Sequence, residues 1–213
     1  MKNLVLRAAL SCGLICGVGQ AAFAQQAASS GGGQAAGAPA DKTAPSYDMK
    51  AQAALDLGQV GKKFASLAEA MPAEKFTWRP ADGVRSISEL YLHVAASNYG
   101  ILTMMGAAVP TGVDNKGMEK STTDKAKIVA ELNKSFANAI AVVNGMTNAE
   151  FAKAQPKLGP EANSGDVIYI LVTHLHEHLG QAIANARANG IVPPWTVEAM
   201  KAAAKKKAET PQP

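Results

Sequence analysis

An all-α fold, four main helices in one bundle, is what three features of this sequence predict. Apolar residues recur at spacings of three and four along separate stretches. Residues that start and stop helices flank those stretches. No segment alternates with period two over the length of a strand, and nothing repeats internally.

The chain opens with Met1-Lys2-Asn3 and Arg7 around an apolar run over residues 4–18, then Ala22-Phe23-Ala24, a small-x-small site of the kind signal peptidase cuts. Residues 1–24 therefore read as a secretory signal, and the protein as exported, periplasmic or secreted. Removing 24 of 213 residues leaves 189 and, with Lys2 and Arg7 gone, lowers the formal net charge from +4 to +2. Both cysteines, Cys12 and Cys16, go with it, so the mature chain has neither a disulfide nor a thiolate. Acylation at one of them, giving a lipoprotein, is the alternative reading. No later apolar run approaches the ~18 residues of a membrane span. Residues 25–46 are mostly Gln, Ala, Ser, Gly and Pro and bury too little apolar surface to offset ordering entropy, so they read as a disordered leader. A single domain over residues 47–207 follows, and then a disordered tail over 208–213.

In the first helix Leu57, Val60, Phe64, Leu67 and Met71 mark one face, and Pro72 closes it. The turn-rich segment 72–83 carries Phe76 and Trp78, which reads as an aromatic cap over the end of the bundle. Ser86-Ile87-Ser88-Glu89 has the pattern in which a serine caps a helix and a glutamate reaches back to it. The second helix starts there, with an inward stripe of Leu90, Val94, Ile101 and Met104 that includes His93 and, one turn on, Ser97.

Residues 106–121 contain Pro110, Gly112 and Gly117 without periodicity and form a long connection. Ser121-Thr122-Thr123-Asp124 opens the third helix, whose inward face is Ile128, Leu132, Phe136, Ile140 and Val143. After a further aperiodic stretch, residues 144–162, Asn163-Ser164-Gly165-Asp166 caps the fourth main helix. Gly190 and Pro193-Pro194 end it, and residues 195–207 form a short Ala- and Lys-rich helix. The lysines at its end read as a solvated basic terminus; no other basic face is present to suit nucleic acid.

The chemistry concentrates in Thr173-His174-Leu175-His176-Glu177-His178-Leu179-Gly180-Gln181, which holds three of the chain's four histidines. At about 100° per residue, His174 and His178 share the face of Val167, Ile170 and Leu171, while His176 points to the opposite side. Two imidazoles one turn apart converge on one metal ion for the same geometric reason that HExxH helices bind zinc. In a bundle, further ligands come from a facing helix, and His93 is the one other inward histidine. Three protein ligands leave a coordination position for water or substrate. All-imidazole ligation suits one divalent transition metal, with zinc the default and nickel, iron, manganese or copper the alternatives. Glu89 and Gln181 are candidates to support the ligands from behind, with capping the simpler role for Glu89. Glu177 is the candidate catalytic carboxylate or else a solvated helix residue. The side carrying His176, Tyr169, Val172 and Leu179 is apolar enough for packing against another element or for a homodimer.

Glu89-x-x-x-His93, preceded by Met71-Pro72-Ala73-Glu74-Lys75 and Arg79-Pro80-Ala81-Asp82-Gly83, together with His174-x-x-x-His178-x-Gly180-Gln181 and Gly190-Ile191-Val192-Pro193-Pro194, resembles the DinB/YfiT-like superfamily. The resemblance runs from Tyr47 to Pro194. It implies a bundle of up-down-down-up connectivity, which the long link after Gly106 suits, and a divalent metal on three histidines matching His93, His174 and His178. It further implies the activities of characterised relatives, metal-dependent transfer or isomerisation with a low-molecular-weight thiol. Those thiols belong to the cytoplasm, whereas this chain carries the features of export; Glu177 also stands where members often have another histidine.

The expectation is thus an exported metal-dependent hydrolase or thiol transferase with a small-molecule substrate. The alternatives are a non-catalytic metal- or ligand-binding protein, or a metal-free bundle with structural histidines.

Overall fold

A computed structural model describes residues 48–209, so the expected signal, leader and last four residues lie outside the described residues. Six helices occur there: α1 (Met49–Ala70), α2 (Ile87–Gly100), α3 (Lys125–Gly145), the one-turn α4 (Asn148–Phe151), α5 (Ser164–Ala188) and α6 (Pro194–Glu209). Short 3₁₀ turns fall at Ala73–Lys75, Ile101–Met105 and Met118–Lys120, and the described residues contain no named strand. The fold is the all-α four-helix bundle that the sequence predicts.

Directions follow from who touches whom. Lys50 at the start of α1 donates from Nζ to the Met146 carbonyl past the end of α3 (2.8 Å). At the other end, Lys125 Nζ, opening α3, donates to Glu69 O (2.6 Å) and Met71 O (2.8 Å) at the close of α1. Those two helices are antiparallel. Along α2 and α3, Ser88 shares a groove with Thr122, Leu92 another with Lys127, and Asn98 Nδ2 donates to Ser135 Oγ (3.0 Å), so these two run parallel. Met49 and Gly165 line one groove, and further along Asp56 meets His176, making α1 and α5 parallel. The order is up, down, down, up. The long connection makes it possible, because a tight turn would have forced α3 to run against α2.

α1 and α2 each pack on α3 and on α5. They face each other across the core, where Phe64 meets Tyr91 edge-on (centroids 6.2 Å) and Phe136 (5.8 Å). The apolar faces expected for α1 and α3 are inside, Leu57, Val60, Phe64, Leu67, Met71, Ile128, Leu132, Phe136 and Val143 all being buried, with Ile140 half-buried. α2 departs from a single stripe: Ile87, Leu90, Tyr91, Leu92, Val94, Ala95, Asn98 and Tyr99 are all buried. The reason is that α3, α5 and the turn at Met118–Lys120 surround it. Its expected stripe also stops early. The chain tightens into a 3₁₀ turn after Gly100, leaving Ile101 half-buried and Met104 44% exposed.

Capping agrees with the sequence reading. Ser86 with Glu89 and Asn163 with Asp166 form reciprocal capping boxes, and Asp124 caps α3. Gly190 takes a left-handed φ of 77° just past α5. Within the stretch read as aperiodic, Thr147 and Glu150 form a third box, which opens α4. Trp78 is half-buried against the core, as a cap should be. α6 begins with Pro194 at its first turn, reaches two residues past Lys207, and rests on α1 with Lys63 Nζ 5.8 Å from the Trp195 ring.

Candidate metal centre

α2 brings His93 and α5 brings His174 and His178 to one place, where a ligand nitrogen of each lies within 4.8 Å of the others. Ring centroids are 5.3 Å apart for His93 and His174, 4.7 Å for His93 and His178, and 4.3 Å for His174 and His178. His178 is buried and the other two are half-buried, so the cluster lies at the edge of the core. That placement revises the sequence reading of the α5 face. Val167 and Leu171 are buried as expected, and Ile168, Leu175, Leu179 and Ala182 are buried with them, whereas Ile170, expected inward, is 37% exposed. The wholly apolar strip of α5 faces the bundle axis, and the histidines flank it.

Two of the three rings are held in a particular tautomer. His93 Nδ1 lies 3.0 Å from Glu119 Oε2, and His178 Nδ1 lies 2.9 Å from Gln181 Oε1. Both partners are acceptors there, so each Nδ1 donates its proton and each Nε2 keeps a lone pair. His174 Nε2 is buried with no hydrogen-bond partner. A buried polar atom left unsatisfied is costly and calls for a ligand. Three imidazoles with converging nitrogens, two of them fixed with free Nε2 lone pairs and the third with an orphaned Nε2, fit a divalent transition metal.

The surroundings of His174 and His93 favour their neutral forms. Burial lowers the pKa of His174 to about 4, with the neighbouring His178 and His93 adding to the effect and Glu177 opposing it. Burial also lowers that of His93, reinforced by the Arg85 charge and opposed by Glu119. Neutral imidazole is the form that ligates a metal.

Gln181 stands behind His178, where the sequence places it as a supporting residue. Glu89 is engaged elsewhere: its Oε2 accepts from the Ser86 backbone N–H (2.8 Å) and pairs with Arg79 (3.2 Å). The carboxylate on His93 comes from Glu119, in the connection between α2 and α3, where no periodicity marked it. The one available signal was chemical, since residues 106–121 contain two carboxylates, Asp114 and Glu119. Glu177 is exposed. His176 points away from the cluster, its Nε2 2.8 Å from Asp56 Oδ2 on α1. On that side Leu179 is buried and Val172 half-buried against the core, which is packing on another element, while Tyr169 stays 62% exposed.

A profile of the DinB superfamily matches residues 56–182, a span that includes all three clustered histidines. Two solved structures share the fold. YfiT from Bacillus subtilis, described as a probable metal-dependent hydrolase with an unusual four-helix bundle topology, is 18% identical with a TM-score of 0.53, over 71% of this chain and 93% of that one. A conserved protein from Enterococcus faecalis is 13% identical with a TM-score of 0.54, over 67% of this chain and 97% of the other. No curated protein matches the chain.

Proposed function

The chain belongs to the DinB superfamily, and from that premise we propose that it is an exported metalloprotein, a hydrolase or group transferase that acts on a small molecule through a divalent ion held by His93, His174 and His178. The observation that carries this reading is the buried, unpartnered Nε2 of His174 beside two histidines whose Nδ1 protons are already committed. When bound, such an ion supplies Lewis acidity, which makes a water or thiol more acidic and polarises a substrate oxygen.

The protein's own contribution is orientation. Glu119 and Gln181 fix two rings, and helix α5 fixes the spacing of His174 and His178. Glu177, next to His178 and exposed, is the candidate to accept a proton at the mouth of the site. Zinc is the ion proposed first, on the strength of the all-nitrogen donor set. Export rests on residues 1–24 and is tested by N-terminal sequencing of the protein recovered from outside the cytoplasm.

The activity is tested on zinc-loaded protein assayed against ester, amide and phosphoester substrates, and against electrophiles with and without a low-molecular-weight thiol. Turnover that disappears in His174→Ala supports the enzyme reading. Tight zinc retention with no turnover on either panel would instead favour a protein that holds metal without catalysis.

A further inference from the structure

Behind His93 stands a carboxylate with two partners. Glu119 Oε2 lies 3.0 Å from His93 Nδ1, while Arg85 donates from Nε to Glu119 Oε1 (2.8 Å) and from Nη2 to Oε2 (3.3 Å). We propose that Glu119 is a positioning residue: clamped by Arg85, it fixes His93 as the Nδ1–H tautomer and presents the Nε2 lone pair to the divalent cation. The inference rests on the metal reading above and deepens it.

Three observations support it. The carboxylate arrives on a braced turn, since Met118 beside it is buried in the core, the Ser121 backbone N–H bonds to Met118 O, and Asp114 Oδ1 accepts from the Gly117 N–H. Glu119 is therefore not a free surface side chain that happens to lie near a histidine. Both carboxylate oxygens also face the Arg85 guanidinium, a group that only donates. A carboxylate held in that fork accepts from His93 Nδ1, which leaves a neutral His93 one tautomer.

The third observation is an asymmetry. His178 is backed by the neutral amide oxygen of Gln181, whereas His93 is backed by an anion. A charged acceptor forms the stronger hydrogen bond and raises the basicity of the ring more. Loss of Glu119 should then weaken metal binding more than loss of Gln181.

The competing explanation is a staple: the Arg85–Glu119 pair would merely tie the connection to the start of α2. The two explanations separate by variant. Glu119→Ala removes staple and acceptor together, Arg85→Ala removes the staple and leaves the carboxylate, and Glu119→Gln keeps an acceptor oxygen without the charge.

The experiment measures zinc dissociation constants by chelator competition for these variants and for Gln181→Ala, with thermal unfolding of each metal-free protein alongside. It also records the ¹⁵N imidazole shifts of His93 in the metal-free wild type. Expected are the Nδ1–H tautomer in the wild type and zinc binding weakened about 10- to 100-fold in Glu119→Ala. Arg85→Ala, Glu119→Gln and Gln181→Ala should each lose less. Equal affinities for wild type and Glu119→Ala, equal losses in Arg85→Ala and Glu119→Ala, or an Nε2–H tautomer of His93 in the wild type would overturn the assignment while leaving the three-histidine site intact. A wild type that binds no zinc would overturn both.

Discussion

On α5, His174 and His178 stand one turn apart with ring centroids separated by 4.3 Å and planes at 82°. Burial, with the neighbouring imidazoles, lowers the pKa of His174, and a cation shared with His178 would give its unpartnered Nε2 a partner. The metal-free protein is therefore expected to gain stability on loading. Zinc at about a thousand times its dissociation constant should contribute ~4 kcal/mol, a rise in Tm of roughly 8–16 °C for a domain of this size. Thermal unfolding with and without zinc checks this, and His174→Ala should show almost no rise.

The Ser86–Glu89 capping box holds the start of α2, and with it the register of His93. Ser86→Ala should cost about 0.5–2 kcal/mol by denaturant unfolding. Glu89 adds a pH dependence. Its hydrogen bond from the Ser86 backbone outweighs burial and, with Arg79, lowers its pKa below 4.5. A carboxyl depressed in the folded state contributes stability that is present above its unfolded pKa and lost as pH falls through the folded one. Glu89→Gln should thus be less stable than wild type at pH 7, and the gap should close as pH falls below the ordinary carboxylate value of 4.5. A gap that is constant with pH would contradict the assignment.

Two glycines of α1 should respond in opposite ways to alanine. A Cβ on Gly61 would lie 2.9 Å from Cγ of Phe136, whereas a Cβ on Gly58 would meet nothing within 4 Å. Gly58→Ala should stabilise by roughly 0.5–1 kcal/mol through helix propensity. Gly61→Ala should destabilise by about 1–3 kcal/mol, because the core ring must move. Chemical denaturation of both variants tests how closely α1 and α3 approach.

Asn98 is fully buried on α2 and donates to Ser135 on α3. Ser135→Ala leaves that amide without its acceptor and should cost about 1–3 kcal/mol. Adding Asn98→Leu should recover part of the loss, since an apolar pair leaves nothing unsatisfied. Strict additivity of the two changes, measured by a double-mutant cycle, would argue against the pairing.

The parts of the fold that were legible share one physical origin. The faces of α1 and α3 follow from spacing because each helix has one buried side, and the caps of α2, α3 and α5 follow from short-range hydrogen bonds encoded within four residues. α2 reads as a single stripe because periodicity does not anticipate a helix enclosed by neighbours on several sides. Ile170 lies outside the core, against expectation, because a helical wheel gives relative angles without saying which of two adjacent apolar strips meets the core.

The site divides in the same way. His174 and His178 are paired by local helix geometry, and His93 follows as the remaining inward histidine on a facing helix. Glu119 depends on how the connection folds back over α2, a long-range event that leaves no periodic mark. Met118, the apolar anchor beside it, was equally silent.

The most direct test of the central claim is elemental analysis of the purified protein beside a His93→Ala, His174→Ala double variant, with circular dichroism on both. The three-histidine site predicts close to one equivalent of a transition metal in the wild type, lost in the variant while helicity persists. Equal and negligible metal in both, even after incubation with zinc, nickel or manganese, would contradict it.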